Sequence, residues 1–214
     1  MESQRPSAEA EEAPLGRREA NKRDKLRRIK AAARALFLDK GYDEATMREI
    51  ARRADVGLGT LFMYASNKRD LLFLIYNDEQ ERLTRAAFAA PPPGRSFRDR
   101  VVAGFAPYYR FFAEEPVFMR YVLRELTFYS DGKQAGRFND GREAIVDEIA
   151  ALLRAARDDG ELAGHAGDRA VAQLVFGIFQ AEVRRWLMDS RPDPDAGLRR
   201  LRRTLGILVE GLRR

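Results

Sequence analysis

Helical spacing of apolar side chains runs through most of this sequence. Leu26, Ile29, Ala33, Leu36 and Phe37 follow one another at intervals of three, four, three and one, which places them on one face of an α-helix. Later segments also follow the helical pattern, and no stretch of any length shows the polar–apolar alternation of a β-strand. We therefore predict an all-α fold.

Cap and turn residues divide this pattern into separate helices. The first predicted helix covers about 21–40 and ends at Gly41, which suits a left-handed stop. Thr46 is expected to cap a second, short helix, because Thr46 to Glu49 fits the Thr-x-x-Glu capping box. A third covers about 58–64. Longer helices are expected at about 68–89, 97–114, 117–130, 139–158, 168–189 and 195–212.

Two short helices joined by a four-residue turn, and braced by a longer first helix, predict a helix-turn-helix. Residues 22–68 carry twelve Lys or Arg against six Asp or Glu, an excess equal to the net charge of +6 for the chain. Such a basic segment attracts DNA phosphates. Gly59 and Thr60 leave the start of the third helix lightly substituted, so it can approach a major groove closely. A plain three-helix bundle with a solvated basic face is the alternative.

The residues around the predicted turn resemble the tetracycline-repressor (TetR) family over about a quarter of the chain. A Lys-Gly-Tyr corner, a Thr cap, a Gly-Thr-Leu helix and a Lys-x-x-Leu-Leu start stand in one register. The matching runs are ALFLDKGYDEATMREIA (35–51), VGLGTLFMY (56–64) and SNKRDLL (66–72). The sequence departs from the family pattern where Asp55 replaces Gly, Gly57 replaces Ser and Phe62 replaces Tyr. Leu58 and Met63 also stand at commonly polar positions.

The resemblance implies a role for each matched position. Thr46 and Arg48 would meet phosphate at the start of the second helix, the third helix would enter the major groove, and Tyr64 and Lys68 would hold the DNA backbone. The predicted DNA-binding residues are Thr46, Arg48, Leu58, Gly59, Thr60, Phe62, Met63, Tyr64 and Lys68.

The chain is expected to divide into three parts. Residues 1–20 carry few large apolar side chains and predict a disordered tail. Residues 21–67 form the predicted helix-turn-helix DNA-binding domain. Residues 68–214 form a predicted helical domain for ligand binding and dimerisation. The family resemblance implies this role, although these residues contain no recognisable family motif.

Aromatic residues are dense in the two predicted helices at 97–114 and 117–130. Such a cluster can line an apolar pocket, although each ring taken alone is more simply explained as ordinary core. Glu125 lies on the same helix face as Phe118 and could fix a cationic or hydroxylated ligand, or it could pair with a nearby Arg. The predicted pocket residues are Phe105, Tyr108, Tyr109, Phe112, Phe118, Tyr121, Glu125, Phe128 and Phe179.

The last two predicted helices each have a wide apolar face. On the final helix, leucines recur at intervals of three and four, a seam of heptad type: Leu198, Leu201, Leu205, Leu208 and Leu212. Two wide adjacent faces predict a four-helix interface between two copies of the chain. The predicted interface residues are Val175, Phe179, Trp186, Leu201, Leu205 and Leu208.

Composition argues against other classes of function. The chain has no Cys and one His, His165, so zinc sites, thiol nucleophiles and His-dependent triads lack raw material. No apolar run approaches the ~20 residues of a membrane span, and the N-terminal segment lacks the apolar core of a secretory signal. We therefore expect a cytoplasmic protein that is not an enzyme, with no catalytic residue, no metal and no cofactor.

These patterns together predict a ligand-responsive transcriptional regulator, most simply a repressor. It would bind a palindromic operator in double-stranded DNA as a homodimer, and a small apolar or aromatic effector would release it. The alternative is an architectural DNA-binding protein without a small-molecule effector, which a filled rather than hollow aromatic core would favour.

Overall fold

The computed structural model describes residues 16–88, 96–163 and 166–212, which form α-helices joined by short turns. These residues contain no β-strand, which confirms the predicted all-α fold. The predicted tail up to residue 15, and His165, lie outside the described residues. The helices are α1 (Arg17–Asp39), α2 (Met47–Arg53), α3 (Leu58–Tyr64), α4 (Lys68–Phe88), α5 (Phe97–Glu114), α6 (Pro116–Glu125), α7 (Ala135–Asp158), α8 (Asp168–Trp186) and α9 (Pro194–Leu212).

Most helix ends lie within a few residues of their predicted positions, and two differ. Helix α1 begins at Arg17, so residues 17–20 are helical and the predicted tail is wrong at its boundary. Helix α6 ends at Glu125 rather than near 130, because Phe128 adopts a left-handed backbone (φ 60°) that turns Tyr129 inward. The Tyr129 ring then stacks on Phe73 of α4, with the ring centroids 4.0 Å apart.

Helices α1, α2 and α3 form a compact head whose turn is held from α1. Ile29, Ile50 and Leu61 are fully buried, one from each helix. In the turn, Asp55 lies in the left-handed region (φ 51°), which explains why the resembled family has Gly at this position. The Arg28 guanidinium donates to the Asp55 carbonyl at 3.0 Å and to its carboxylate at 3.1 Å. Arg28 of α1 therefore stabilises a turn whose left-handed position is unfavourable for Asp55.

Helices α4 to α9 form the body, in which α5 packs against α4, α7 and α9, and α8 packs between α7 and α9. Aromatic rings fill its centre. Phe105 of α5 stacks on Phe179 of α8 at 3.9 Å between centroids, and Tyr109 meets Trp186 edge-on at 4.8 Å. Helix α4 extends from the head into this core and so belongs to both parts.

The head and the body meet at a buried carboxylate, Asp70, near the start of α4. Its oxygens accept hydrogen bonds from the backbone N–H groups of Ser66, Lys133 and Gln134 and from the Tyr129 hydroxyl. Burial opposes the charged form, but these hydrogen bonds outweigh it and hold the pKa of Asp70 below its ordinary value. One ionised side chain thus ties the end of the head to the segment between α6 and α7.

Candidate nucleic-acid interface and internal cavity

The start of α2 is ordered by a reciprocal cap. The Thr46 hydroxyl accepts from the Glu49 backbone N–H at 3.2 Å, and the Glu49 carboxylate accepts from the Thr46 backbone N–H at 3.2 Å. Hydrogen bonds from Lys40 and Thr46 lower the pKa of Glu49 to about 2. The capping box predicted from the sequence is therefore confirmed, and Arg48 projects exposed from the same turn.

Helix α3 is anchored by one side chain and presents others outward. Leu61 is fully buried and fixes α3 to the head, whereas Met63 is 75% exposed and Phe62 is partly exposed. Gly59 adds no bulk to this surface, since a Cβ built on it meets nothing within 4 Å. Leu58 is half-buried and packs against the core, which gives it a part in holding α3.

Tyr64 and Lys68 lie where α3 passes into α4. The Tyr64 side chain is half-buried, and its carbonyl accepts from the Gln134 side-chain amide at 3.2 Å. The Lys68 ammonium donates to the Asp43 carbonyl at 2.7 Å and lies 4.9 Å above the Tyr42 ring. Lys68 is thus held beside the corner between α1 and α2.

An open groove of about 980 Å³ separates the first turns of α1 from α3. Three cations on one face of α1, Arg18, Lys22 and Lys25, face Thr60 and Met63 of α3 across it, and Glu19 in the same lining lies 3.7 Å from Lys22. Arg18 lay in the predicted tail, whereas Lys22 and Lys25 lay in the predicted basic segment but were not among the predicted DNA-binding residues. Their spacing of four and three positions, typical of one helix face, was the available signal.

The body encloses a small cavity of about 30 Å³ between α4, α5, α6, α7 and α8. Its lining residues are Tyr76, Gln80, Tyr108, Phe112, Leu123, Leu126, Phe138, Arg142, Ile145, Phe176, Phe179, Gln180 and Val183. Two polar atoms here are buried without a hydrogen-bond partner in the described part of the chain, Gln80 Oε1 and Arg142 Nε. A volume of this size holds about one water molecule.

Only some of the predicted pocket residues line this cavity: Tyr108, Phe112 and Phe179. Phe105 and Tyr109 pack behind it as core, so their prediction as lining residues is wrong. Phe118 and Tyr121 also lie outside the cavity lining. The Phe118 ring lies 5.0 Å beneath the Arg34 guanidinium, and the Tyr121 ring packs 5.7 Å from the Tyr42 ring in the head.

Glu125 and Phe128 are also misassigned as pocket residues. Glu125 lies 3.0 Å from Arg124 and 3.7 Å from Arg69, so it forms an ion pair with a nearby Arg, which was the alternative to a ligand contact. Phe128 is 88% exposed, because its left-handed backbone turns the side chain away from the body. Helical periodicity extended past Glu125 could not anticipate this turn.

The predicted dimer residues need the same correction. Val175, Phe179, Trp186, Leu201 and Leu205 are buried within one protomer, and Leu208 is half-buried. The seam on α9 packs against α5 and α8 of its own chain. Outside this packing, Leu174 on α8 is 59% exposed and Ile207 on α9 is 74% exposed.

Comparisons with known proteins agree with the architecture of the head. Residues 29–75 match the family described as bacterial regulatory proteins, tetR family. The transcriptional activator FasR of Mycolicibacterium smegmatis is 28% identical over 86% of this chain and 83% of its own length. The transcriptional repressor KstR of Rhodococcus jostii is 28% identical over 90% and 86%, respectively.

Among solved structures, Thermus thermophilus FadR, a TetR-family transcriptional repressor in complex with lauroyl-CoA, superposes with a TM-score of 0.64 at 24% identity. The match covers 84% of this chain and 92% of that one. None of the described helices is both long and apolar enough to span a bilayer. The relatives named here are regulators rather than enzymes. Residues 29–75 thus match the tetR family of bacterial regulatory proteins, and the chain is a DNA-binding transcriptional regulator.

Proposed function

We propose that this protein is a repressor that binds a palindromic DNA site as a homodimer and is released by an acyl-CoA effector. The observation that carries the proposal is the basic groove beside α3, in which Arg18, Lys22 and Lys25 flank Thr60 and Met63. A major groove admits one helix, and cations on its flank neutralise phosphates. Because chromosomal DNA is the partner, we place its action in the cytoplasm.

The predicted contacts divide into two kinds. Arg48, Tyr64 and Lys68 position the DNA backbone, whereas Thr60 and Met63 face base edges. The exposed part of α3 is mostly apolar, so thymine methyl groups are its natural partners in the major groove.

A homodimer is supported by the outer face of α8 and α9. Leu174 and Ile207 are exposed there. Around Gly177 of the same face a Cβ would meet nothing within 4 Å, so a partner helix could approach closely. Two copies related by a two-fold axis would present their α3 helices to half-sites one helical turn of DNA apart, about 34–36 Å, or a multiple of it.

The cavity is well placed to influence α3. Leu126 and Phe138, which line it, flank the segment between α6 and α7. From that segment, the Lys133 ammonium donates to the Phe62 carbonyl, and the Gln134 amide donates to the Tyr64 carbonyl. An acyl chain needs far more than 30 Å³, so binding must separate the helices around the cavity. A ligand that favours the opened state shifts the population away from the DNA-binding state.

The acyl-CoA class is chosen because the similarly folded FadR structure holds lauroyl-CoA. The apolar lining of the cavity agrees with an acyl chain. The small volume leaves a second candidate open, namely a DNA-binding protein without an effector, since its core is nearly filled.

The test is fluorescence anisotropy with DNA from upstream of the gene and a scrambled duplex, at two salt concentrations. Selective, salt-sensitive binding supports the proposal, and equal binding to both duplexes supports the architectural alternative. Lys68→Met should weaken binding to every sequence and reduce the salt slope by about one. Met63→Ala should change the preference among sequences. Arg154→Ala, on the exposed face of α7, is the matched control and should bind like the parent.

Addition of lauroyl-CoA to the bound complex then tests the effector. Release of the specific duplex at micromolar concentration supports the acyl-CoA class. If DNA binding is unchanged at lauroyl-CoA concentrations far above the micromolar range, the acyl-CoA class is contradicted.

A further inference from the structure

A second concavity lies on the surface directly outside the cavity. It is a groove of about 470 Å³ between α6 and α8, lined by Arg120, Leu123, Arg124, Arg184, Leu187 and Met188. Leu123 lines both the groove and the cavity. On α8, Val183 faces the cavity and the next residue, Arg184, faces the groove. A single layer of side chains therefore separates the two spaces.

The groove combines three guanidinium groups with exposed apolar surface. Arg120 is held in place, because it donates at 2.8 Å to the Leu187 carbonyl and at 2.8 Å to the Asp189 carbonyl. Arg184 is exposed and makes no ion pair within the described ranges. Met188, beside it, is 83% exposed. Guanidinium groups bind phosphate through paired hydrogen bonds, so this surface suits a ligand with several phosphates.

We propose that this groove binds the phosphate groups of an acyl-CoA, whose acyl chain passes Leu123 into the internal cavity. The inference rests on the proposed acyl-CoA effector and assigns its two halves to two adjoining spaces. Arg120 and Arg184 hold phosphate, and Leu123 is the side chain that must move for the chain to enter.

The third cation links this groove to the DNA-binding head. Arg124 donates to both carboxylate oxygens of Asp43 in the corner between α1 and α2, at 2.8 and 3.0 Å. Its guanidinium also lies 5.2 Å above the Tyr42 ring of the same corner. A bound phosphate and the Asp43 carboxylate compete for Arg124. The ligand therefore loosens a contact between α6 and the head while it opens the cavity.

Three probes separate the two halves of the ligand: lauroyl-CoA, coenzyme A alone and laurate, each titrated calorimetrically into the full chain. Lauroyl-CoA is expected to bind at least tenfold more tightly than laurate, and the affinities of lauroyl-CoA and coenzyme A should fall with salt more steeply than that of laurate. Equal affinities for lauroyl-CoA and laurate would show that the phosphates make no contact and would overturn the proposal.

Arg184→Gln is the most direct variant, because this exposed side chain makes no ion pair with the residues that the structure describes. It should weaken lauroyl-CoA binding about tenfold, as expected for one lost hydrogen bond to a charged group, and leave laurate binding unchanged. Arg185→Gln, one residue further on and also exposed, is the matched control and should bind like the parent. Identical lauroyl-CoA affinities for Arg184→Gln and Arg185→Gln would contradict the proposed phosphate site in this groove.

Asp43→Asn tests the competition in the opposite direction. Releasing Arg124 from Asp43, while its pair with Glu125 remains, should tighten lauroyl-CoA binding by up to about fivefold, since an exposed ion pair has this modest strength. Asp39→Asn removes the same charge from the head, where it pairs with Arg53, and should have no effect. Weaker or unchanged binding in Asp43→Asn would contradict the link.

These outcomes are distinct from failure of the proposed function. If lauroyl-CoA binds but neither Arg184→Gln nor Asp43→Asn changes its affinity, the groove is wrong and the effector class stands. If lauroyl-CoA does not bind at all, both are wrong.

Discussion

Replacing Asp70 by Asn should destabilise the protein more than most single substitutions. In the folded chain, the Asp70 carboxylate accepts from the backbone N–H groups of Ser66 at 2.7 Å, Gln134 at 2.9 Å and Lys133 at 3.0 Å, and from the Tyr129 hydroxyl. An Asn side chain has one acceptor oxygen and one NH₂ group. Two of the four hydrogen-bond donors would therefore face the NH₂ group, which is itself a donor and cannot accept their hydrogen bonds.

The magnitude follows from those two lost contacts. Hydrogen bonds to a charged group contribute about 1.5–3 kcal/mol each, which gives a loss of about 3–6 kcal/mol in the free energy of unfolding. Domains of this kind are stable by only about 5–15 kcal/mol, so Asp70→Asn should lower the urea midpoint greatly.

Urea unfolding followed by circular dichroism measures this loss. Asp131→Asn is the control, because Asp131 is exposed in the same segment and should change the free energy of unfolding little. A loss below about 1 kcal/mol for Asp70→Asn, with an unchanged m-value, would refute the reasoning, because it would mean that the donors find other acceptors.

Other substitutions test the same structure. Gly132→Ala should lower the free energy of unfolding by about 2 kcal/mol or more, because φ is 136° and the new Cβ would lie 2.8 Å from an Asp70 oxygen. Gly160→Ala, where φ is 73° and the space is open, should lower it by about 1 kcal/mol. Urea unfolding of both variants measures the difference. Thr46→Ala should cost about 1 kcal/mol by the same assay and weaken binding to all DNA sequences in anisotropy. The pKa of Asp70 is depressed below 3.8, so its contribution to the free energy of unfolding is present above about pH 4 and is lost as the pH falls further. The urea midpoint should therefore fall between pH 5 and pH 3, and it should fall less in Asp70→Asn.

Features encoded within a few neighbouring residues were predictable from the sequence. The capping box at Thr46 and Glu49 depends on residues three apart, and the structure has it as expected. Helix bounds such as those of α3 and α5 match their predictions because helical periodicity and caps are local signals. The end of α6 was misjudged because Tyr129 turns to stack on Phe73, a residue more than fifty positions away.

The sequence by itself determined that the chain is helical, that its head is a helix-turn-helix, and which faces of α8 and α9 are apolar. Only the tertiary structure decided what covers those faces. Periodicity identifies an apolar face but not its partner, so the seam of Leu201 and Leu205 was assigned to a second protomer, whereas it packs inside its own. The groove of Arg120, Arg124 and Arg184 joins two helices some sixty residues apart, and no local pattern brings such residues together.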